Sequence, residues 1–249
     1  MERGHSTLIR AAVDLHMHSA LSPCGDEMMT PGNIVGMAAI NGLHAIAVTD
    51  HNSSQNVRAA VAIGKAMGVV VVPGMELESV EEIHVVCLFK TIEALEAFQK
   101  IVDESYVPAE NRPEIFGDQL IFNENDEPTG ALSHMLLSPT GISIDDVFSI
   151  ADRLDGIAYP AHVDRDSYSV LTSFGTLPYG YALPFVEISC DCTVEQLLLQ
   201  YPLLEQYRLL RASDAHYIDK IQEAVTFIEV ETLSAAGVVE ALKKGRIVS

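Results

Sequence analysis

The sequence predicts an α/β fold whose strands close, or nearly close, into a barrel. Short runs rich in β-branched residues alternate repeatedly with longer helical patterns, which is the signature of βαβ units on a parallel sheet. The chain has 249 residues and 48% of them are apolar, which is enough to fill one large core. Eight strand candidates fit a barrel better than a small open sheet.

The strand candidates are residues 9–16, 45–49, 69–73, 84–89, 156–159, 185–189, 208–212 and 226–231. Helices are predicted to begin near residues 30, 53, 91, 143, 193 and 234, because a residue of the type that caps helices leads each pattern. The helix after Thr91 illustrates the pattern, since Ile92, Leu95, Phe98 and Val102 approximate an apolar stripe with a repeat of about 3.6 residues.

The alternation breaks between about residues 105 and 140. Proline, glycine and asparagine interrupt this segment, and at most a short hairpin with the turn "NEND" at residues 123–126 is expected. A structureless loop of that length is unusual unless it is functional, so one interpretation is an inserted lid over the site. The alternative is a solvated excursion without a role.

Charge limits the range of partners. A formal net charge of −20 with only 15 basic residues leaves no basic stripe to follow a phosphate backbone, so we expect no duplex nucleic acid as a partner. Carboxylates gathered around divalent cations would account for part of this charge. A small phosphorylated molecule would then be attracted to the site itself.

The cysteines and the apolar runs indicate the compartment. The four cysteines are too scattered for a disulfide framework or a paired C-x2-C zinc site, which favours free thiols. No apolar run approaches the roughly 20 residues that cross a bilayer. The first residues lack the basic, apolar and small-residue regions of a signal peptide, so we expect a cytoplasmic protein without membrane association.

Ligand-type side chains recur at the ends of five predicted strands, where barrel enzymes carry their chemistry. These residues are His16, His18, Asp50, His51, Glu76, His84, His162, Asp214 and His216. Six of the nine histidines are among them. A lone H-x-H pair is commonly incidental and a lone strand-end glutamate is commonly solvated, so the inference of a site depends on their concurrence.

The spacing of these residues indicates metal binding. Residues i and i+2 of an extended segment point to the same side, so His16 and His18 can hold one ion, and Asp214 and His216 repeat that geometry. Nitrogen and carboxylate ligands without thiolates suit zinc, manganese or iron, and a carboxylate such as Glu76 can bridge two ions. The pattern therefore predicts a multinuclear site.

Seven motifs in order carry a family resemblance: "DLHMHS", "GDEMMTP", "GLHAIAVTDHN", "PGMELES", "IHVVCLF", "YPAHVDR" and "SDAHY". The chain resembles the PHP (polymerase and histidinol phosphatase) superfamily of metal-dependent phosphoesterases from about residue 10 to residue 220. The resemblance implies one domain over residues 1–249. Its fold would be a distorted seven-stranded (β/α) barrel with an insertion around residues 105–140 and up to three metals at the carboxyl ends of its strands.

By this resemblance the ligands of the first metal are His16, His18, Glu76 and Asp214, those of the second are Glu76, His84 and His162, and those of the third are Asp26, His51 and His216. Asp26 precedes Pro31 by the five residues that some members of the family show, although its distance from His18 is longer than expected. Asp50 is expected to orient a ligand histidine. Two or three ions of zinc, manganese or iron per chain follow from this assignment.

The leading hypothesis is a metal-dependent phosphoesterase that hydrolyses a phosphomonoester of a small molecule. A nucleotide, a nucleoside bisphosphate, or a sugar or amino-alcohol phosphate would be the substrate. A water between the metals would lose its proton near neutral pH and attack phosphorus. Arg165 has two interpretations, a bidentate contact with a non-bridging phosphate oxygen or an ordinary surface charge.

Three other hypotheses stay open. An exonuclease on short single-stranded oligonucleotides would need a basic or aromatic groove, and the chain has no tryptophan. An amidohydrolase of the H-x-H barrel type would commonly use a lysine or cysteine in the bridging place, which Glu76 holds here. A binding module without catalysis would have lost some of its ligands, and all nine positions retain ligand-type residues.

Overall fold

The structure is a computed structural model and describes residues 7–105, 109–224 and 226–248. The strands are β1 (Ile9–Asp14), β2 (Ala45–Val48), β3 (Val70–Glu78), β4 (His84–Leu88), β5 (Leu120–Phe122), β6 (Pro128–Ala131), β7 (Ile157–Pro160), β8 (Phe185–Ser189), β9 (Arg208–Ala212), β10 (Thr226–Val230) and β11 (Ile247–Val248). The helices are α1 (Pro31–Ile40), α2 (Val57–Met67), α3 (Ile92–Ser105), α4 (Pro113–Phe116), α5 (Ile144–Arg153), α6 (Val170–Phe174), α7 (Val194–Gln200) and α8 (Ala235–Lys243). Two short 3-10 helices cover Pro202–Gln206 and Ile218–Lys220.

Seven strands form one curled half-barrel sheet in the order β11-β10-β1-β2-β3-β4-β7. Strands β8 and β9 form a separate parallel pair, and β5 and β6 form a hairpin. The predicted α/β class is confirmed, and a strand lies at each of the eight predicted places. The distorted seven-stranded (β/α) barrel, the insertion around residues 105–140 and the single-domain organisation stay predictions. Among the described residues no helix combines the length and apolarity that crossing a bilayer requires.

The expectation of a parallel sheet is wrong at β4 and β10. Strands β1, β2 and β3 are parallel, but β4 runs antiparallel to both β3 and β7, and β10 runs antiparallel to β1. Only the loop of residues 79–83 joins β3 to β4, which is too short for the crossover that two parallel strands need. The first residue of β4 therefore lies at the sheet edge where β1, β2 and β3 end.

Strand β3 is longer than the predicted 69–73 because it changes partner partway. Residues 70–73 pair with β2, and residues 74–78 pair with β4. At Gly74 the neighbouring strands approach so closely that a Cβ would lie 2.8 Å from side-chain atoms of Thr49 and Leu88. Glu76 consequently lies within a buried strand and not in the loop after it.

Helix α2 begins at Val57, later than the predicted start near residue 53. The backbone N–H and hydroxyl of Ser54 both donate to Gln99 Oε1, and Asn52 has a left-handed φ of 50°. These contacts hold residues 52–56 in a turn. The loop after β2 therefore reaches the same sheet edge as the loop after β1.

Two layers of helices bury the sheet. Helices α1 and α2 pack on one part of it through residues such as Ile34 and Val35, which contact a cluster that includes Ile46 and Val71. A second cluster, which includes the fully buried Phe98, joins α3 and α5 to β3 and β4. Burying each such aliphatic or aromatic side chain contributes roughly 1.5–3 kcal/mol, so these contacts fix the sheet edge that carries the histidines.

The described part of the predicted insertion, residues 109–140, contains the short helix α4 and the hairpin of β5 and β6, whose turn is residues 123–126. The turn is fastened to the start of α1, because Asp126 accepts hydrogen bonds from the Thr30 hydroxyl and the Gly32 N–H at 2.6 and 2.7 Å. Asn52, in the loop after β2, and Asn56, just before α2, form hydrogen bonds with backbone atoms of this segment. Its interpretation as a lid stays a prediction.

Candidate metal centre

Glu76 lies at the centre of a group of imidazole rings and is fully buried. Its Oε1 lies near His84 Nδ1 (3.1 Å), His16 Nε2 (3.2 Å) and His162 Nε2 (3.3 Å), and its Oε2 lies near His51 Nδ1 (3.1 Å) and His18 Nε2 (3.2 Å). The two oxygens thus face different sets of nitrogens. This arrangement is the one that a bridging carboxylate requires.

The strand directions explain how residues far apart in sequence meet here. His16, His51, His162 and Asp214 each follow the end of a strand, whereas His84 opens β4. Because β4 is antiparallel to its neighbours, its first residue lies at the same edge as their last residues. One edge of the main sheet therefore collects the histidines, and Asp214 joins them from the end of β9 in the separate pair.

The H-x-H pair and Asp214 form one compact group. His16 Nε2 and His18 Nε2 are 3.2 Å apart, and Asp214 Oδ1 lies 3.3 Å from the first and 3.0 Å from the second. Two atoms bound to one ion at about 2.0–2.2 Å would be separated by roughly 3–3.5 Å. The spacing in this group matches that value.

A buried carboxylate fixes the ring of His16. Glu187 Oε1 lies 2.8 Å from His16 Nδ1 and also accepts the backbone N–H of His162 at 3.0 Å. Nδ1 therefore donates, which leaves Nε2, on the side of Glu76 and Asp214, as the ring atom that can bind a cation once it has lost its proton. Glu187 is not among the residues that the strand-end pattern predicts, although an acidic residue inside the apolar run of β8 is a signal of it.

Asp50 acts on His18 through Ser22. The Ser22 hydroxyl donates to Asp50 Oδ1 at 2.7 Å, so His18 Nδ1, 2.9 Å from the same hydroxyl, must donate to it. This leaves His18 Nε2 free to act as a ligand atom. Asp50 also accepts the N–H and the hydroxyl of Ser19, at 2.7 and 2.6 Å, so its contact with the ligand histidine is indirect.

Many buried polar atoms of this group have no hydrogen-bond partner among the described residues. They are His51 Nδ1, both carboxylate oxygens of Glu76, both ring nitrogens of His84, His162 Nδ1 and Asp214 Oδ1. Folded proteins rarely leave buried polar atoms unpaired, because the desolvation is then uncompensated. Carboxylate oxygens and imidazole nitrogens are ligands of zinc, manganese and iron, so the residues fit divalent cations.

The charges of the group are strongly coupled. Burial by itself lowers the pKa of His16, but Glu76 and Glu187 outweigh burial and hold that pKa well above its ordinary value. Burial likewise lowers the pKa of His18, and the carboxylates of Asp214 and Glu76, 3.0 and 3.2 Å from its Nε2, raise it to about 9. Burial raises the pKa of Glu76, but His84 and His16 hold it well below its usual range. The carboxylates are thus ionised beside protons that a cation would displace.

Strained backbone is concentrated at the same place. Among the described non-glycine residues with left-handed φ values are Asn52 (50°), His162 (28°), Tyr168 (53°) and Asp214 (48°), and all four border this group. Such conformations cost about 1–3 kcal/mol each and persist where function requires them.

The ring of Tyr168 stacks on that of His84 with a centroid distance of 4.5 Å.

A cleft of 620 Å³ opens beside the group and carries two cationic side chains, Arg165 and Lys220. Arg165 Nη1 lies 2.7 Å from Asp214 Oδ2, and its side chain is 44% exposed. An anionic ligand in the cleft would therefore meet positive charge next to the buried carboxylates.

Three groups of ligand-type atoms, with every atom in a group within 4.8 Å of the others, occur in the described part of the chain. They are His16, His18 and Asp214; His51, Glu76 and His84; and His18, Cys24, His51 and His216. Asp26 belongs to none of them, and its Oδ1 accepts the Met28 N–H at 2.9 Å. The ligand role of Asp26 stays a prediction.

Comparison with known protein families identifies the family of this chain. A model of the PHP domain matches residues 14–160. The chain belongs to the PHP family. Members of this family are metal-dependent hydrolases, and the predicted resemblance is confirmed. No curated protein matches the chain at a significant level.

Solved structures share the PHP fold at low sequence identity. The lesion-specific endonuclease PfuEndoQ from Pyrococcus furiosus is 18% identical with a TM-score of 0.66, and the match covers 95% of this chain and 56% of that one. Endonuclease Q in complex with a 27-mer duplex that has an abasic lesion at the active site is 18% identical with a TM-score of 0.67, covering 95% and 57%. A two-domain protein containing a predicted PHP-like metal-dependent phosphoesterase from Bacteroides vulgatus is 18% identical with a TM-score of 0.58, covering 96% and 64%. The chain thus spans only 56–64% of the length of these three solved chains.

Proposed function

We propose that this PHP domain hydrolyses phosphomonoesters of a small molecule, with two or three divalent ions of zinc, manganese or iron as cofactors. The substrate would be a nucleotide, a nucleoside bisphosphate, or a sugar or amino-alcohol phosphate. The observation that supports this proposal best is the set of five imidazole rings around the two buried, unpartnered oxygens of Glu76.

The proposed ligands of the first cation are His16, His18, Glu76 and Asp214, those of the second are Glu76, His84 and His162, and those of the third include His51 and His216. Bound divalent cations lower the pKa of water and neutralise the charge of phosphate oxygens. In this proposal Glu187 and Ser22 hold the tautomers that direct His16 Nε2 and His18 Nε2 into the site.

The cationic side chains of the cleft would bind the substrate. Arg165 donates to Asp214 Oδ2 from an exposed position, so its remaining N–H groups can contact a phosphate oxygen. Lys220 lines the same cleft and would attract the anionic part of the substrate. Cleavage needs no serine or cysteine nucleophile in this scheme.

The test is metal analysis of the purified protein followed by a screen for phosphate release over a metabolite library. His162→Ala and Asp214→Ala are the control variants. We expect phosphate release that depends on bound metal and disappears in both variants. Phosphate release that survives both substitutions would show that the site lies elsewhere.

A nuclease is the second candidate, because two of the similar structures are of a lesion endonuclease and one of them holds a duplex. This similarity weakens the expectation that duplex nucleic acid is not a partner. The net charge of −20 favours a small substrate, since a duplex binder gains affinity by releasing counterions from phosphates. Comparing labelled single-stranded oligonucleotides and an abasic duplex with nucleoside monophosphates as substrates separates the two candidates.

A further inference from the structure

We propose that Cys24 binds the third cation together with His51 and His216, in the place where the motif suggests Asp26, and that this position takes a thiophilic ion such as zinc, iron or cobalt. This inference rests on the proposed metal-dependent function and adds a thiolate ligand to it.

The first argument is the position of the thiol. Cys24 Sγ and one ring nitrogen from each of His18, His51 and His216 all lie within 4.8 Å of one another. His18 Nε2 already faces Glu76 and Asp214, at 3.2 and 3.0 Å. The thiol and the two other imidazoles therefore form a three-ligand set, which leaves a coordination position for water or substrate.

The second argument is the state of the two histidines. His216 Nδ1 lies 2.7 Å from the Asp214 carbonyl oxygen, which can only accept a hydrogen bond, so Nδ1 holds the proton and Nε2 carries the lone pair. His51 is 4% exposed, and its Nδ1, which has no hydrogen-bond partner among the described residues, faces Glu76 Oε2 at 3.1 Å; one nitrogen of the same ring belongs to the group that contains Cys24. Both rings thus offer ligand atoms to a cation.

The loop between β1 and α1 explains why the thiol takes this place. The backbone N–H of Asp26 donates to the His216 carbonyl at 2.9 Å, which anchors the loop beside His216, while the Asp26 carboxylate turns to the Met28 N–H. Gly25 permits the tight turn before it, because a Cβ there would lie 2.4 Å from the Ser19 carbonyl oxygen. The loop therefore brings Cys24 to the cluster and commits an oxygen of Asp26 to the backbone.

The ligand chemistry predicts which metals bind. Magnesium, calcium and manganese prefer oxygen ligands, whereas a thiolate with two imidazoles suits zinc, iron or cobalt. The other two proposed positions contain only nitrogen and carboxylate ligands. The centre would therefore combine one thiophilic position with two that accept manganese.

The experiment loads the whole protein with cobalt and measures both its absorption and its metal content. Cys190→Ser is the matched control for Cys24→Ser, since Cys190 lines the same cleft. We expect a thiolate-to-cobalt charge-transfer band in the wild type and in Cys190→Ser. We expect Cys24→Ser to lack the band and to bind about one ion fewer per chain. Asp26→Asn is expected to keep both the band and the full number of bound ions.

A second measurement uses the wild type alone. Zinc is expected to slow alkylation of Cys24 by roughly tenfold or more, because a coordinated thiolate is not free to react. A full metal content and an unchanged band in Cys24→Ser, or loss of an ion only in Asp26→Asn, would overturn the role of Cys24 and leave the metal-dependent function standing. A wild type that binds neither cobalt nor zinc would overturn both.

Discussion

The charged groups at the two opposite ends of the strands of the main sheet, here called its two edges, differ in burial and in pairing. At one edge Glu76 of β3 and the adjacent Asp214, which follows β9 of the separate pair, are buried among imidazoles and have oxygens without hydrogen-bond partners in the described chain. At the other edge, past the end of β4, Lys90 Nζ lies 2.7 Å from Asp155 Oδ2 and 2.6 Å from Glu240 Oε1, and the two carboxylates are 68% and 42% exposed. The first set is incomplete without cations, whereas the second is complete and solvated.

This difference indicates which edge carries function. Exposed ion pairs contribute little to stability because water screens them. Buried carboxylates destabilise a fold unless hydrogen bonds or opposite charges compensate them, so a protein that retains a cluster of them has a use for it. Substitutions at the two edges should therefore differ in size and in kind.

The largest effect is expected for Glu76→Gln. An amide bears no charge and cannot bridge two cations, so the protein should lose most of its bound metal and phosphate release should fall by at least about 10²–10³-fold. Metal content and phosphate release measured on the same preparation check this. If Glu76→Gln retained the full metal content, the buried edge would not need this carboxylate to hold cations, and the proposed difference between the two edges would be wrong.

A smaller loss is expected for Glu187→Gln. The variant keeps a polar group beside His16 Nδ1 but loses the charge that fixes the ring, so metal affinity should fall by about 10–100-fold. Glu195→Gln, at an exposed position in α7, is the control and should bind metal like the wild type. Competition with a chelator measures the metal affinity of both variants. Equal affinities would show that Glu187 does not support metal binding.

Metal affinity should also depend on pH. The pKa of His18 is raised to about 9, so at pH 7 this ring holds a proton that must leave before a cation binds. Affinity should accordingly rise with pH between 7 and 9, with about one or two protons released per ion, because the pKa of His16 is raised as well. Calorimetry in buffers of different ionisation enthalpy measures this release. A metal affinity that falls as the pH rises from 7 to 9 would contradict this prediction.

The smallest effect is expected at the other edge. Asp155→Asn removes one partner of Lys90 but leaves Glu240 in contact with it, and all three groups can reach water. Metal content and phosphate release should be unchanged, and the thermal midpoint should stay within experimental error. A change in metal content would mean that the two edges are coupled.

Local patterns predicted much of this molecule. The strand places and the histidines at strand ends follow from short-range sequence signals. The antiparallel direction of β4 and the change of partner at Gly74 depend on neighbouring strands, which no local pattern contains. Glu187 lies 171 residues from His16, so its contact with that ring could be found only in three dimensions.

The loop after β1 shows the same limit within a few residues. The motif indicates Asp26 as a ligand by its distance from Pro31. In the fold its backbone N–H bonds to the carbonyl of His216, far away in the sequence, and its carboxylate accepts the N–H of Met28. The type of chemistry is therefore predictable from the residues, whereas the proposal of Cys24 in place of Asp26 depends on the conformation of the folded loop.

The most direct test of the metal centre is anomalous X-ray diffraction from crystals of zinc-loaded protein at the zinc absorption edge. We expect strong peaks about 2.0–2.2 Å from ligand atoms of Glu76 and the surrounding histidines, with one peak beside each carboxylate oxygen. Peaks confined to surface carboxylates, or no peak near Glu76, would contradict the proposal that this buried edge holds divalent cations.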